Sequence, residues 1–384
     1  MRILVFNYEF PPVGGGGGRA ARDICEKLAG RGHQVLVLTS HLKGLPKHEQ
    51  IAGVEVVRVP SLRRKAYVAT FLDMSSYVVS AALAGLRILP AWKPDVMQVH
   101  FAVPTGPAAW ALARLYHVPY VLTAHLGDVP GGTPEKTKGW FRWVYPFTRP
   151  IWQDAARVVA VSEFTRQLAL QHYPVEIQVL PNGVDTKALD PGEIHLGDPP
   201  QIIFAARFMS QKNPLQIVRV LDGLRELPWK CLMLGDGPLY QQVQEEIANL
   251  GLQERFLLPG WVTPEQVLAQ YAQSDILFMP SLSEGFPLTG VQALAMGLAI
   301  VAGRVGGFVD LVKPGENGFL YDPMDEQGMR QGLAALLGDP ARLLEMRLAS
   351  RRLSAHFDLD VIVDGYEAVF NEILANRPTP GWKA

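Results

Sequence analysis

The sequence predicts an α/β protein built from two doubly wound parallel sheets that face each other across a cleft. Short runs of Val, Ile and Leu alternate with helical patterns twice along the chain, and a segment rich in Pro, Gly and Asp separates the two series. Apolar strands separated by helices are typical of parallel sheets covered on both faces. A chain of 384 residues also exceeds what one hydrophobic core usually supports, so two domains are expected.

The first series begins at the amino terminus. Its predicted strands are Arg2–Phe6, Gln34–Thr39, Val54–Val59, Val96–His100, Tyr120–Ala124 and Arg157–Val161. Helical patterns lie between these strands, and the clearest are Arg19–Arg31 and Pro107–Tyr116.

The interval from Asp190 to Pro200 has the composition of an interdomain linker. After it, strands are predicted at Gln201–Ala205, Lys230–Leu234, Arg255–Leu258, Asp275–Met279, Ala299–Ala302 and Gly318–Tyr321. Helices are predicted at Gln216–Glu226, Gln241–Leu250, Pro264–Gln273, Leu288–Met296, Pro340–Ala355 and Leu359–Ala375. The expected domains therefore span residues 1–188 and 189–358, and ligands in such folds bind at the carboxyl ends of the strands.

Composition and charge narrow the class of function. Hydrophobic residues make up 48% of the chain and charged residues 19%, which is typical of a globular enzyme and excludes a disordered chain. A formal net charge of −1 gives no support to a nucleic-acid-binding protein. Residues 1–185 nevertheless carry 20 basic and 13 acidic side chains, which points to an anionic partner such as lipid headgroups or a phosphorylated acceptor. Uneven scatter of surface charge is the alternative.

Several features predict a cytoplasmic location. Met1 leads straight into a strand without a signal peptide, and Cys25 and Cys231 lie in different halves, as expected of single thiols in a reducing compartment. No apolar run of eighteen residues lacks a charge or a breaker, so no membrane span is expected. The basic segment 63–65 and the amphipathic stretch after it suit either a peripheral contact with the inner face of the membrane or, more commonly, a core-facing helix.

The segment 280–300 carries the strongest functional signal. An apolar strand ends at Pro280, a polar loop presents Glu284 and Gly285, and a helix begins near Leu288. A carboxylate thereby lies beside a helix N-terminus, whose free N–H groups and roughly half a unit of positive partial charge form an anion site. This arrangement suggests chemistry on a group that bears both hydroxyls and a phosphate, as a nucleotide-sugar does. A capped helix with a solvated Glu is the alternative.

Two further candidates follow strands of the first half. The glycine run 14–18 precedes the helix at Arg19, where glycine lets backbone N–H groups approach a substrate or phosphate closely. No Gly-Lys-Ser/Thr follows, so the run is not a P-loop, and a flexible loop is the alternative. His125 directly follows a strand and is expected to face the cleft, with a buried structural histidine as the alternative.

Arg207 and Lys212 follow the first strand of the second half. Two cations five residues apart on one loop can converge on a polyphosphate, because Arg offers a bidentate fork and Lys a mobile point charge. Solvated surface charges are the alternative. Asp358 and Asp360 match a metal-binding D-x-D pattern, but they precede a helix, where aspartates serve as caps. Since no His/Cys cluster has ligand spacing, neither a metal nor another cofactor is expected.

Taken in order, these features resemble a family-4 retaining glycosyltransferase of the GT-B fold. The matching segments are the Pro-Pro…Gly-Gly loop, Arg31-Gly-His-Gln-Val35, Val161-Ser-Glu163, Pro181-Asn-Gly-Val-Asp185, Arg207 with Lys212, Gly235-Asp-Gly-Pro238, Ser283-Glu-Gly-Phe-Pro287 and Pro314-Gly-Glu-Asn-Gly-Phe319. Each motif alone is weak, but so many in the right order over nearly the whole chain are specific.

The resemblance implies roles in binding a nucleotide-diphosphate sugar. Arg207 and Lys212 would hold the donor diphosphate and neutralise charge as the sugar–phosphate bond breaks. Glu284 would contact the hydroxyls of the donor sugar, and the amides around Leu288 and Thr289 would bind phosphate. No metal is implied.

The resemblance also assigns roles in the first domain, which would take the hydroxyl-bearing acceptor. His125 would lie near the donor sugar, with its backbone or ring assisting the transition state. Gly15 and Gly16 align with the glycine pair of the family, and Gly17 and Gly18 extend that pair. The resemblance gives Gly15, Gly16 and Gly17 a role in donor binding. The last helix, within about 359–384, would pack back onto the first domain.

One residue departs from the family pattern. Gln292 stands where the family has a second glutamate, eight positions beyond Glu284. That glutamate accepts hydrogen bonds from the nucleotide ribose, and Gln keeps one carbonyl acceptor but loses the charge. Weaker hydrogen bonds to the ribose are therefore expected, while the chemistry at Glu284 is less affected.

The implied reaction retains the anomeric configuration. No obvious second carboxylate is positioned as a nucleophile, so the sequence does not support double displacement through an enzyme ester. The resemblance instead implies attack on the same face, with the departing phosphate taking the acceptor proton. A sugar-nucleotide epimerase and a non-catalytic nucleotide-sugar-binding protein are the alternatives. The sequence does not identify the nucleotide base, the sugar or the acceptor.

Overall fold

The computed structural model describes residues 1–133 and 141–376, without the side chains of residues 141 and 142. Its α/β architecture with two mainly parallel sheets confirms the predicted fold class. One compact unit comprises Met1–Gly183 together with the chain from Leu359, and the other comprises Val184–Asp358. The chain therefore passes from the first unit into the second and returns. We call these the first and second units.

The first unit contains an eight-stranded sheet within the described residues, in the order β3-β4-β2-β1-β5-β6-β7-β8. Its strands β1 to β8 are Arg2–Asn7, Gln34–Ser40, His48–Ile51, Val54–Val59, Val96–His100, Tyr120–Ala124, Arg157–Ala160 and Ile177–Val179. Among the described residues, β3 pairs antiparallel with β4 and the other pairs are parallel. Its helices are Gly16–Gly30, Phe71–Trp92, Gly106–Tyr116, Phe141–Gln153, Glu163–Leu170 and Leu359–Ala375, with a short 3-10 turn at Leu126–Asp128.

Alternate side chains of β1 enter different cores on the two faces of this sheet. Leu4 and Phe6 pack with residues of the helices Phe71–Trp92, Gly106–Tyr116 and Phe141–Gln153. Ile3 and Val5 pack with residues of the first helix, Gly16–Gly30, and of the last helix, Leu359–Ala375. This alternation is expected of a strand buried on both faces.

Arg31 and His33 hold the last helix against the first unit. The Arg31 guanidinium donates to Asp360, Asp364 and Glu367 at 2.8, 2.6 and 2.7 Å, and the His33 ring lies 2.7 Å from Glu367. These acceptors lie on successive turns of the last helix. The Arg-Gly-His motif, read from the sequence as a family signature, thus has a structural role in this chain.

The second unit contains a six-stranded sheet in its described residues 184–358, in the order β11-β10-β9-β12-β13-β14. Strands β9 to β14 are Gln201–Ala205, Lys230–Leu234, Phe256–Gly260, Ile276–Met279, Ala299–Gly303 and Gly318–Tyr321, and their pairs are parallel. The helices are Pro214–Asp222, Tyr240–Asn249, Pro264–Tyr271, Leu288–Ala295, Phe308–Leu311, Glu326–Leu337 and Pro340–Ser354, with 3-10 turns at Ser210–Lys212 and Ala355–Phe357.

In both sheets the strand order reverses beside the first strand of the unit. β1 lies between β2 and β5, and β9 lies between β10 and β12. Loops that leave two neighbouring strands at such a point diverge to opposite faces of the sheet and leave room between them for a ligand. The glycine run follows β1, Arg207 and Lys212 follow β9, and Glu284 follows β12, whereas His125 follows β6, which neighbours β5.

One helix among the described residues, Phe71–Trp92, is long and apolar enough to cross a membrane by length and composition alone. Its most apolar window has a mean hydropathy of 1.3, and 28% of that window is buried. A single helix of this kind is weak evidence of a membrane span.

Candidate active site

The candidate site of the second unit lies where β9 and β12 diverge. Arg207 and the 3-10 turn Ser210–Lys212 follow β9, and Glu284 lies in the loop after β12. The two loops are joined by their backbones, since Leu282 N–H donates to the carbonyl of Gln211 at 2.8 Å. The Gln211 side chain in turn donates to the carbonyl of Ser283 at 2.8 Å.

Lys212 and Glu284 form an ion pair between these loops. Lys212 Nζ donates to Glu284 Oε1 at 2.6 Å, and Glu284 is only 5% exposed. Burying a carboxylate costs free energy unless a charged or hydrogen-bonding partner compensates the lost hydration. The structure thus brings together two of the predicted site residues and explains how Glu284 is held in the interior.

The backbone of Glu284 also packs closely against Gly306, which lies in the loop after β13. Gly306 has φ of +53°, and a Cβ there would lie 1.6 Å from the Glu284 carbonyl oxygen. Only glycine allows this approach. Gly306 was not predicted from the sequence; the signal that could have indicated it is the paired Gly306-Gly307 in the loop after β13.

Arg207 is exposed on the same loop as Lys212, next to the buried Phe208. Gly235 and Gly237 press against this loop, with φ of +131° and +157°, and a Cβ at either position would lie within 2.4 Å of a backbone oxygen of Ala206 or Phe208. The Gly-Asp-Gly-Pro motif therefore supports the loop that carries the two cations.

The helix Leu288–Ala295 begins four residues after Glu284. Its N-cap is Pro287, which supplies no capping side-chain hydrogen bond. The backbone N–H groups at Leu288 and Thr289 thus lack a side-chain cap, as an anion site at a helix start requires. Gln292 lies half-buried one turn further along this helix.

In the first unit, the glycine run lies against an aromatic pair. The helix begins at Gly16, three residues before the predicted start at Arg19, because glycine can adopt helical backbone angles although it gives no helix signal in the sequence. A Cβ on Gly17 would lie 2.9 Å from the Phe101 ring and 3.4 Å from the His125 ring. Cβ atoms on Gly15 or Gly16 would meet nothing within 4 Å.

His125 is buried and uncharged. Its ring stacks on Phe101 with centroids 4.0 Å apart, and its Nε2 lies 3.5 Å from Nδ1 of the buried His100. Burial lowers the pKa of His125 to about 3 and lowers that of His100 well below its usual value. A neutral imidazole is therefore the form present near pH 7.

The backbone at His125 is fixed by Asp128. The Asp128 carboxylate accepts hydrogen bonds from the N–H groups of His125 at 2.8 Å and Val103 at 3.1 Å. Burial raises the pKa of Asp128 to about 7 although these hydrogen bonds lower it. Sequence reasoning missed Phe101 and Asp128, although an acidic residue three positions after His125 is a capping signal.

Glu9 also contributes to this region and was missed. Its carboxylate accepts from the N–H of Gly15 at 3.1 Å, and it lies 3.7 Å from the guanidinium of Arg63. Arg63 stacks over the Tyr8 ring, with Cζ 4.7 Å from the ring centroid. The glycine run is therefore tied to the loop 60–70.

Over the described ranges, no group of three or more His, Cys, Asp or Glu side chains could hold a metal ion. In the D-x-D pattern, Asp358 accepts from the N–H of Thr186 at 3.3 Å. Asp360 pairs with Lys27 and Arg31 at 2.8 Å.

Two Rossmann-like units, each with polar loops at the reversal of its sheet, define the architecture of GT-B glycosyltransferases. The model of the glycosyl transferases group 1 matches residues 186–352, and that of glycosyltransferase family 4 matches residues 14–188. Between them they cover most of the chain. The protein belongs to glycosyltransferase family 4 and is a glycosyltransferase, which confirms the family indicated by the sequence motifs.

Characterised proteins resemble the chain over nearly its full length. Glycogen synthase of Mycobacterium tuberculosis is 26% identical and covers 96% of this chain and 94% of that protein. The fold of sucrose-phosphate synthase from Thermosynechococcus elongatus matches with a TM-score of 0.85 at 18% identity, over 98% of this chain and 100% of the other. Anabaena HepE, solved in complex with UDP-glucose, matches with a TM-score of 0.73 at 16% identity, over 97% of this chain and 100% of the other.

Proposed function

We propose that the protein transfers a hexose from a nucleotide-diphosphate sugar to a hydroxyl-bearing acceptor with retention of the anomeric configuration. The observation that carries the proposal is the Lys212–Glu284 pair at the reversal of the second sheet, 2.6 Å apart. It combines a cation for phosphate with a carboxylate for sugar hydroxyls. The UDP-glucose bound by Anabaena HepE is a ligand of the proposed donor class.

The proposed roles follow from the charges that develop as the donor bond breaks. Negative charge grows on the departing diphosphate and positive charge on the sugar, so the site must oppose both more strongly in the transition state than in the ground state. Arg207, Lys212 and the uncapped start of the helix Leu288–Ala295 serve the diphosphate. Glu284 orients the sugar through its hydroxyls.

Retention is proposed without an enzyme-bound intermediate. Glu284 is engaged with Lys212, so we assign it to binding rather than to nucleophilic attack. The acceptor hydroxyl attacks on the face from which the diphosphate leaves, and a phosphate oxygen takes its proton. We assign neutral His125 to hydrogen bonding with the donor sugar rather than to positive charge.

The first unit is proposed to take the acceptor and the second unit the donor. The surplus of basic residues in positions 1–185 suits an anionic or lipid-linked acceptor. We propose that the enzyme is cytoplasmic and needs neither a metal nor another cofactor.

The test is a donor and product assay with the purified full chain. UDP-, GDP- and ADP-sugars are screened by thermal shift, and the donor that binds is incubated with candidate acceptors in the presence of EDTA. We expect slow release of nucleoside diphosphate without acceptor and an α-linked product from an α-linked donor by NMR. Binding of a donor without any turnover would contradict transfer, and a β-linked product would contradict retention.

A further inference from the structure

We propose that the first unit carries a docking surface for an anionic lipid bilayer, formed by the loop 60–70 and the outer face of the helix Phe71–Trp92. This inference goes beyond the proposed function, because binding to a bilayer requires neither donor nor acceptor. We call the surface the apolar strip. Its large apolar side chains, each between 42% and 68% exposed, are Leu62, Tyr67, Val68, Phe71, Leu72, Val79, Leu83 and Leu86.

The apolar strip runs along one side of the helix. Leu72, Val79, Leu83 and Leu86 are spaced seven, four and three residues apart, so they lie on one face. The opposite face is also apolar and is buried; its residues include Tyr77, Ala81, Gly85 and Leu89. A helix with two apolar faces, of which the first unit covers only one, leaves the other for a partner.

The inner face is too firmly packed for this helix to leave the unit and span a membrane. A Cβ on Gly85 would lie 2.2 Å from a methyl carbon of Leu112, so helix and neighbour are in close contact. The Tyr77 hydroxyl donates to the carbonyl of Leu38 at 3.1 Å. The helix therefore lies on a bilayer surface rather than across it.

The charges around the apolar strip select an anionic surface. Residues 60–94 contain five basic side chains and one acidic side chain. The acid, Asp73, is largely buried and accepts from the N–H of Thr70 at 2.8 Å. Arg64 and Lys65 are exposed at one end of the strip, and Arg87 and Lys93 at the other. Apolar side chains between cations with flexible stems match the boundary between acyl chains and anionic headgroups.

The same charges disfavour a second copy of this chain as the occupant. A symmetric dimer through the helix Phe71–Trp92 would set the cationic ends of the two copies against each other or beside each other. Basic side chains of the two copies repel each other when they are brought together without acidic partners. An anionic bilayer faces no such penalty.

The apolar strip is connected to the glycine run. The N–H of Gly14 donates to the carbonyl of Ala66 at 2.8 Å, and Arg63 donates to the same carbonyl at 2.7 Å. Docking would therefore hold the glycine run close to the lipid surface. If the proposed function holds, an acceptor with a hydroxyl-bearing headgroup would meet the first unit there.

The experiment is flotation of the full chain with phosphatidylcholine vesicles and with vesicles that contain about 30% phosphatidylglycerol, at low and high salt. We expect binding to the anionic vesicles that high salt weakens, and at least about tenfold weaker binding to neutral ones. Leu72→Ser/Leu83→Ser and Arg64→Glu/Lys65→Glu should each lower the partition coefficient by about tenfold or more, since each surface cation contributes roughly fivefold.

Matched variants control for loss of apolar surface and of charge. Met324→Ser/Val361→Ser removes side chains that are 74% and 51% exposed elsewhere, and Lys230→Glu/Lys313→Glu makes the same charge change. Both should bind like the wild type, and thermal unfolding should show that every variant is folded.

The proposal is overturned if the folded wild type does not bind anionic vesicles, or if the strip variants bind them as well as the wild type does. The proposal is also overturned if light scattering shows that the wild type is a dimer and the strip variants are monomers, because the apolar strip would then bind a second copy of the chain. A wild-type protein that binds anionic vesicles but transfers no sugar from any donor would contradict the proposed function alone.

Discussion

Lys212 and Glu284 join the two loops that leave β9 and β12, with Nζ and Oε1 2.6 Å apart. Because Glu284 is buried and the ammonium is its ion-pair partner, each residue fixes the position of the other before any ligand arrives. The pair is thus preorganised, which lowers the cost of orienting the site for a charged transition state.

Lys212→Ala should lower kcat/KM by at least about two orders of magnitude, as is typical when a preorganised electrostatic group is removed. Initial rates with the identified donor measure the effect. Lys230→Ala removes an exposed ammonium from the same unit and should leave kcat/KM unchanged. A folded Lys212→Ala enzyme within a few-fold of wild type would remove Lys212 from the proposed mechanism.

Gln292→Glu should lower the donor KM with little change in kcat. A carboxylate at this position would accept charge-assisted hydrogen bonds from the ribose in both the ground state and the transition state. Steady-state kinetics over a range of donor concentrations separate the two parameters. If kcat changes and KM does not, residue 292 acts on the chemistry rather than on uniform binding.

Gly16→Ala should raise the thermal stability and yet reduce activity. Alanine in a helix is favoured over glycine by roughly 0.5 to 1 kcal/mol, and a Cβ on Gly16 meets no atom within 4 Å in the protein. The methyl group would instead occupy the space predicted for the donor. Gly30→Ala, at the other end of the same helix with equally open surroundings, is the control and should stabilise without loss of activity. Equal activity of the two variants would place the donor away from Gly16.

Arg31→Ala should destabilise the protein by about 1 to 2 kcal/mol, because it removes several partly exposed ion pairs to the last helix. Chemical denaturation monitors the loss. Arg22→Ala, in the first helix, removes one pair with Glu26 and should cost only about 0.3 to 0.5 kcal/mol. Equal losses for the two variants would show that the Arg31 network adds nothing.

Acidification should weaken the fold through the buried histidines. The unfolded chain protonates His125 near its ordinary pKa of about 6.5, whereas the folded pKa is about 3. The contribution of neutral His125 is therefore complete above pH 6.5 and declines as the pH falls toward 3. Denaturation of His125→Gln should show a shallower fall in the free energy of unfolding between pH 7 and 5 than the wild type, and parallel curves would contradict the assignment.

Asp128 acts in the opposite sense. Its folded pKa of about 7 lies above the ordinary value for Asp of 3.8, so its contribution is complete below about pH 4 and is lost as the pH rises from there to about 7. Asp128→Asn should remove this decline. Because Asp128 contacts the backbone rather than the ring of His125, the two variants should change the pH dependence independently.

The sheet cores were predictable because period and composition determine them. The strands at Val54–Val59, Val96–His100 and Gln201–Ala205 have the bounds that the apolar runs predict. The edge strands His48–Ile51 and Ile177–Val179 were not predicted, since they are short and partly exposed and carry little hydrophobic signal.

Candidate site residues were predicted where charged side chains follow a strand, as for Lys212 and Glu284, and the structure brings these two side chains together. Phe101 and Glu9 were missed because their roles depend on contacts between segments distant in sequence, such as the stacking of Phe101 on His125. The ion pair itself was not foreseen either. A sequence shows which loops carry charge, but only the register of β9 and β12 sets which charges meet.

The return of the chain to the first unit after Asp358 affects how the protein is made. One face of the first sheet is covered by Ile362, Val363 and Phe370 of the last helix, which leave the ribosome after the whole of the second unit. The second unit should therefore be complete before the first unit is. Until the last helix arrives, this part of the sheet face stays uncovered and is a target for chaperones.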